Sequence, residues 1–126
     1  MTYNTSLTFD SNSLTCVIHG KRSLADSQIM WSEILKQIER QPVKYVLLDM
    51  HLSGRLHPNE ILTGVESLYP KLIQKKLQVL VVDNNPESYH DNYLASILAE
   101  DKNIPVTLFN TFIEANKWLS EHRIND

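Results

Sequence analysis

Residues 45–62, YVLLDMHLSGRLHPNEIL, decide how the chain is read. An unbroken apolar run from Tyr45 to Leu48 closes on Asp49. Such a run suits a strand covered on both faces, as in a parallel sheet. A loop follows, and then Pro58, which fits a first helical turn because its missing N–H would find no partner there anyway. The spacing predicts a helix over roughly 58–75 with Ile61, Leu62, Val65, Leu68, Tyr69, Leu72 and Ile73 as its apolar residues.

Upstream, SLTFDSNSLTCVIHG reads as two strands joined around Asn12-Ser13, with Leu14, Cys16 and Ile18 sharing one face. SLADSQIMWSEILKQIER then switches to helical spacing through Leu24, Trp31, Ile34, Leu35 and Ile38, and Ser23 with Asp26 marks its start. Downstream, LQVLVVDNN is a second buried-type strand. Ser88 with Asp91 opens a third helix with a stripe of Tyr93, Leu94, Ile97 and Leu98. IPVTLFN is a last strand, suited to an edge because Pro105 cannot donate to a ladder. Thr111 and Glu114 form a capping box before a final helix with Phe112, Ala115, Trp118 and Leu119. The order β-β-α-β-α-β-α-β-α predicts an α/β fold: five mostly parallel strands, made mixed by the opening hairpin, and four helices.

The 126 residues fit one domain, 1–126, without repeat or linker. A net charge of -3 leaves no clustered basic face, so no nucleic acid is expected as a partner. Cys16 is the single cysteine, which excludes an internal disulfide and a multi-cysteine zinc site. LQVLVV is too short to span a bilayer, and MTYNTSLTFDS lacks the pattern of a signal peptide. These features predict a cytoplasmic domain, free or peripheral at the inner face of a membrane.

Ligand sites in such sheets lie beyond the carboxyl ends of the strands. Those ends carry Asp49 and His51, then Asp83, Asn84 and Asn85. With His57 and His90 these could ligate a metal, but no HxH, HExxH or DxD spacing makes them converge, and no metal is expected. A response-regulator pocket lacks its acidic pair and lysine, since HGKRS and FNTF stand in those places. Ser53 has no GxSxG elbow, and Cys16 inside a strand reads as a buried thiol. Three scattered glycines supply neither GxGxxG nor a P-loop, so no cofactor is expected. The chain reads as not an enzyme; catalysis by Asp49, Asp83 and His51 ranks behind the binding readings below.

The strand KYVLLDM, the strand LQVLVVDN and the ending PVTLFNTFIEANKWL resemble the SpoIIAA-like, or STAS, proteins. Within them the chain is most similar to the branch related to both anti-sigma factor antagonists and CRAL-TRIO lipid-binding domains, with F-x-T-x-x-x-A-x-x-W-L the most specific piece. The resemblance covers nearly the whole chain and implies a SpoIIAA-like domain without catalysis. It implies a module that binds a protein partner, a small apolar ligand or a membrane surface. Antagonists carry a phosphorylatable serine in D-S-S-G at the start of the helix after the third strand. Here that place falls at His57-Pro58, and Ser53 comes early without D-S-S-G around it. The phospho-switch is therefore not carried over.

Leu52 and Leu56 sit in a polar loop where no strand or helix period requires them. Gly54 and Gly64 are two of three glycines, and Pro58 and Pro70 bracket the helix. Gly64 costs a helix about 1 kcal/mol relative to Ala, and Pro70 breaks or kinks it. This predicts a flap at 52–73, hinged at Gly54, Pro58, Gly64 and Pro70. Its contacts would be Leu52, Leu56, Ile61, Leu62, Val65, Leu68 and Tyr69, with Lys71, Lys75 and Lys76 near any headgroups. It would admit an apolar or amphipathic small molecule or rest on a membrane. The alternatives are a regulatory module for a protein partner on the same face, a homodimer interface, and a helix that packs a wide face on the sheet.

Overall fold

A computed structural model describes residues 3–83 and 85–123. The chain forms β1 (Tyr3–Asp10), β2 (Ser13–Lys21), α1 (Leu24–Arg40), β3 (Tyr45–Ser53), α2 (Pro58–Lys75), β4 (Gln78–Val82), α3 (Pro86–Asp101), β5 (Val106–Phe109) and α4 (Phe112–Arg123). The strands lie in sequence order, β1 antiparallel to β2 and the rest parallel. This is the expected α/β architecture, with β5 at one edge.

The turn between β1 and β2 is at Ser11-Asn12, one residue earlier than read, with Ser11 in the left-handed region at φ 56°. Ser13 closes it by donating its hydroxyl to the Asp10 carbonyl at 2.8 Å. One row of side chains crosses the whole sheet through Leu7, Cys16, Leu48, Val81 and Leu108. Because the parallel strands follow one another in order, right-handed crossovers bring α1, α2 and α3 to one face. There Ile34, Ile38, Leu72 and Ala99 pack on Leu14, Val46, Leu48 and Val79. The opposite face, Tyr45, Leu47, Leu80 and Val82, is met by Ala115 and Leu119 of α4. Trp118 sets its ring edge-on to Tyr45 and Phe109 at 6.0 and 6.3 Å between centroids. Helices on both faces explain the uninterrupted apolar run of β3.

The helix caps agree with elementary chemistry. Ser23 accepts from the Asp26 N–H at 3.1 Å at the start of α1, and Thr111 does the same for Glu114 at 3.2 Å before α4. Helix α2 runs through Pro70 to Lys75, then stops at Lys76 in the left-handed region, φ 54°.

Helix α3 departs from the reading. It starts two residues before Ser88, capped by Asn85, whose side chain accepts from the Glu87 N–H at 3.0 Å. Tyr93 and Ile97, expected in the core stripe, are 53% and 41% exposed. The buried positions are Ser88, Asp91, Asn92 and Ala99. The helix is turned because its polar side satisfies charges buried at the end of the sheet.

Among the described residues no helix is long and apolar enough to cross a membrane.

Candidate functional site

Helices α1, α2 and α3 do not fill the space between themselves and the sheet. Beneath α2 lies a cavity of about 330 Å³. Its wall is apolar: Trp31 and Leu35 from α1, Leu48, Val79 and Val81 from the strands, and Ala95 and Ala99 from α3. Gln28 and Ser32 on α1, with Ser67 and Lys71 on α2, line it while exposed to solvent and mark its mouth. A volume of this size falls at the lower end of the roughly 300–1,000 Å³ range of small-molecule sites.

Four of the contact residues anticipated for the flap line this cavity, Leu56, Ile61, Val65 and Leu68, and Leu72 of the same helix lines it too. Leu52 borders a recess of about 40 Å³ beside it, with Ile18 and Met30. Leu62 is 38% exposed and does not line it. The side chain of Tyr69 lies outside the described residues, as does Asn84. Gly54 follows β3 at φ 83°, a conformation that favours glycine, and Pro58 is the first residue of α2. Gly64 lines the cavity near Leu24, whose Cδ1 would be 3.4 Å from an added Cβ. Pro70 is an exposed position within α2.

A buried polar cluster closes one end of the cavity. Asp83, fully buried where β4 ends, accepts from the Ser88 hydroxyl at 2.7 Å, the Asn85 N–H at 2.9 Å and the Asn92 amide. Asp91, 2% exposed, accepts from the Leu56 N–H at 2.8 Å and from Arg55 Nη2 and Nε at 3.0 and 3.3 Å. Arg22 follows β2, and its backbone N–H bonds the Ser53 carbonyl at 2.8 Å. Its guanidinium donates from Nη2 to Asn92 Oδ1 at 2.7 Å, with Nε 3.8 Å from Asp91 Oδ2. Burial lowers the pKa of Arg22, opposed by the charges of Asp91 and Asp83. Two carboxylates and two guanidiniums thus tie the β3–α2 loop to α3. Breaking a buried pair by removing one partner costs about 3–5 kcal/mol, because the other charge is stranded.

The trio Asp49, Asp83 and His51 is not brought together. Asp49 shares the α4-side face of β3 with Tyr45 and Leu47, whereas Asp83 bonds to α3 on the other side. Side chains alternate along a strand, so this separation is built into the fold. His51 Nε2 is 3.2 Å from Asp49 Oδ1, and its ring stacks on His19 at 4.6 Å between centroids. His57 caps α2: Nδ1 accepts from the Asn59 N–H at 3.3 Å, while its own N–H donates to Glu60 Oε1 at 2.9 Å. His90 is an exposed residue of α3. Among the described residues no three or more ligating side chains are grouped to hold a metal ion. Cys16 is fully buried, and burial pushes its thiol up to about 12.

The cluster members Arg22, Arg55 and Asn92 were not among the residues singled out from sequence, and Ser88 and Asp91 were read only as a helix start. A signal was present in α3: Ser88, Asp91, Asn92, Ala95 and Ala99 recur at helical spacing and form a face as regular as the apolar one.

Two solved structures are similar to this chain from end to end. One is the anti-sigma factor antagonist SpoIIAA in its unphosphorylated form, with a TM-score of 0.62 and 11% identity over 94% of this chain and 97% of that one. The chain has the SpoIIAA fold. The other is an anti-sigma factor antagonist from Mycobacterium paratuberculosis, with a TM-score of 0.58 and 13% identity over 91% and 92% of the two chains. No protein-family model matches the sequence, and no curated protein matches it either. In this SpoIIAA fold the helix start after the third strand is held by His57 as cap and Pro58 as first residue. Ser53 ends β3 with its hydroxyl donated to the Gly20 carbonyl at 3.4 Å.

Proposed function

We propose that this chain is a non-catalytic regulatory module that acts by binding a protein partner through the β3–α2 loop and the first turns of α2. The observation that carries this reading is the end-to-end likeness to two anti-sigma factor antagonists. The surface suits it: Arg55, His57, Pro58, Asn59, Leu62 and Thr63 are all exposed there. With His57 and Pro58 at the helix start, contact is not controlled by phosphorylation of a serine at that place. A photo-crosslinking amino acid at Asn59, compared with one at exposed Lys36 of α1, tests this in cells of the source organism. One adduct formed from position 59 and lost with Leu62→Glu supports the reading. Equal adducts from both positions defeat it.

The cavity favours a second reading, in which α2 is a movable cover over an apolar or amphipathic small molecule. Ile61 and Leu72 are buried and Leu56, Val65 and Leu68 half-buried around the space. Leu62 and Ile73 are the large exposed apolar residues of α2 among those described, so its greasy side serves an internal guest better than a bilayer. A cavity-filling Val65→Phe that abolishes uptake of a neutral solvatochromic dye supports this reading. Unchanged uptake counts against it.

A further inference from the structure

The cavity has a chemical polarity, and its polar end has unmet donors. Arg22 lines it together with Asn92 and Met50. The Arg22 side chain is only 8% exposed. A guanidinium carries five N–H donors and no acceptor. Among the described residues one Nη2 donor of Arg22 meets an oxygen, that of Asn92 at 2.7 Å. The Nη1 group has the thioether of Met50 at 4.0 Å, a weak acceptor, and Nε has no hydrogen-bond partner. Buried donors of a charged group are normally satisfied, so this end is chemically incomplete.

Charge decides what completes it. Arg22 already faces Asp91 and Asp83, and Asp91 also pairs with Arg55. Two positive and two negative groups balance. A carboxylate or phosphate on an incoming ligand would leave one negative charge unmatched beside two buried carboxylates. A neutral oxygen would accept from Arg22 without that penalty. Size sets the rest: a dry apolar cavity of about 150 Å³ takes a benzene-sized guest, so roughly twice that volume takes about ten to twelve non-hydrogen atoms.

Resting on the ligand reading above, we propose that the cavity binds an uncharged amphipathic molecule of about this size. Its apolar chain or ring lies under α2, and its carbonyl, amide, ester or hydroxyl oxygen accepts from Arg22 and Asn92. The site thereby selects against the free carboxylate of the same chain.

Calorimetric titration of the full chain at pH 7.5 with octanamide, octanoate and octane separates the possibilities. The expected order is octanamide at least tenfold tighter than octanoate, with octane between them or below both. Arg22→Met is expected to remove the preference for octanamide over octane. Should that variant fail to fold, the guanidinium ¹⁵N–¹H signals of Arg22 in the unmodified protein give the answer. They shift with octanamide and not with octane. Octanoate binding as tightly as octanamide, or octanamide leaving the Arg22 signals unmoved, overturns the neutral-head proposal while leaving the cavity as a site. If none of the three binds, the ligand reading falls with it.

Discussion

Replacing Asp91 by alanine tests the tie between the β3–α2 loop and α3. The substitution removes the acceptor of the Leu56 N–H and both Arg55 bonds, and it strands Arg22 with a single carboxylate, Asp83, nearby. The Arg55 side chain is 56% exposed, so its share is that of a surface pair, about 0–1 kcal/mol. The larger part is the buried Arg22 charge and the orphaned Leu56 amide, which together bring the cost to about 3–4 kcal/mol. Against a total of about 6–19 kcal/mol expected for 126 residues, the variant folds but is visibly weakened. With a urea slope of about 2 kcal/mol per molar, the midpoint falls by about 1.5–2 M. Asp91→Asn keeps an oxygen for Leu56 and is expected to lose only about half as much. A loss under 1 kcal/mol for Asp91→Ala would refute the reasoning.

Other expectations follow from single features. The Cys16 thiol, held near 12 by burial, keeps its proton in the folded state when the unfolded thiol has lost it. Stability should therefore fall as pH rises above about 9, at up to about 1.4 kcal/mol per unit from this group, and Cys16→Ala should flatten that slope in urea midpoints measured from pH 8 to 11. Gly64→Ala places a methyl at ordinary contact distance from Leu24 and removes a helix-interior glycine, so a gain of about 0.5–1 kcal/mol in thermal unfolding is expected. Ile34→Ala, fully buried under the sheet, should cost about 2–5 kcal/mol in the same assay.

Sequence patterns carried the fold far because its helices, α3 apart, obey a single rule each. β3 is apolar on both sides because α1–α3 cover one face and α4 the other. Ser23 and Thr111 announce their helices by the hydroxyl oxygens that cap them. Helix α3 misled because it carries two competing faces. Tyr93 and Ile97 suggested the core, while Ser88, Asp91 and Asn92 were drawn inward by Asp83, at the end of the preceding strand, and by Arg22 and Arg55, residues distant in sequence. A local window cannot see a charge that arrives from another strand. The same limit hid the rest of the site. Leu56, Ile61, Val65 and Leu68 could be read as the contacts of a flap over an apolar guest, but not the walls that face them, which come from α1, α3 and the sheet.

Helix α2 combines an interior glycine, an interior proline and a cavity in place of packed side chains, and the ligand reading proposes that these three together let it lift as a cover. Amide hydrogen exchange resolved over residues 58–75 and the central strands β3 and β4 tests this most directly. The account predicts that α2 exchanges through openings of distinctly lower free energy than the strands, and that a bound guest slows it. Exchange of α2 as slow as that of β3 and β4, and unchanged by any guest, would contradict it.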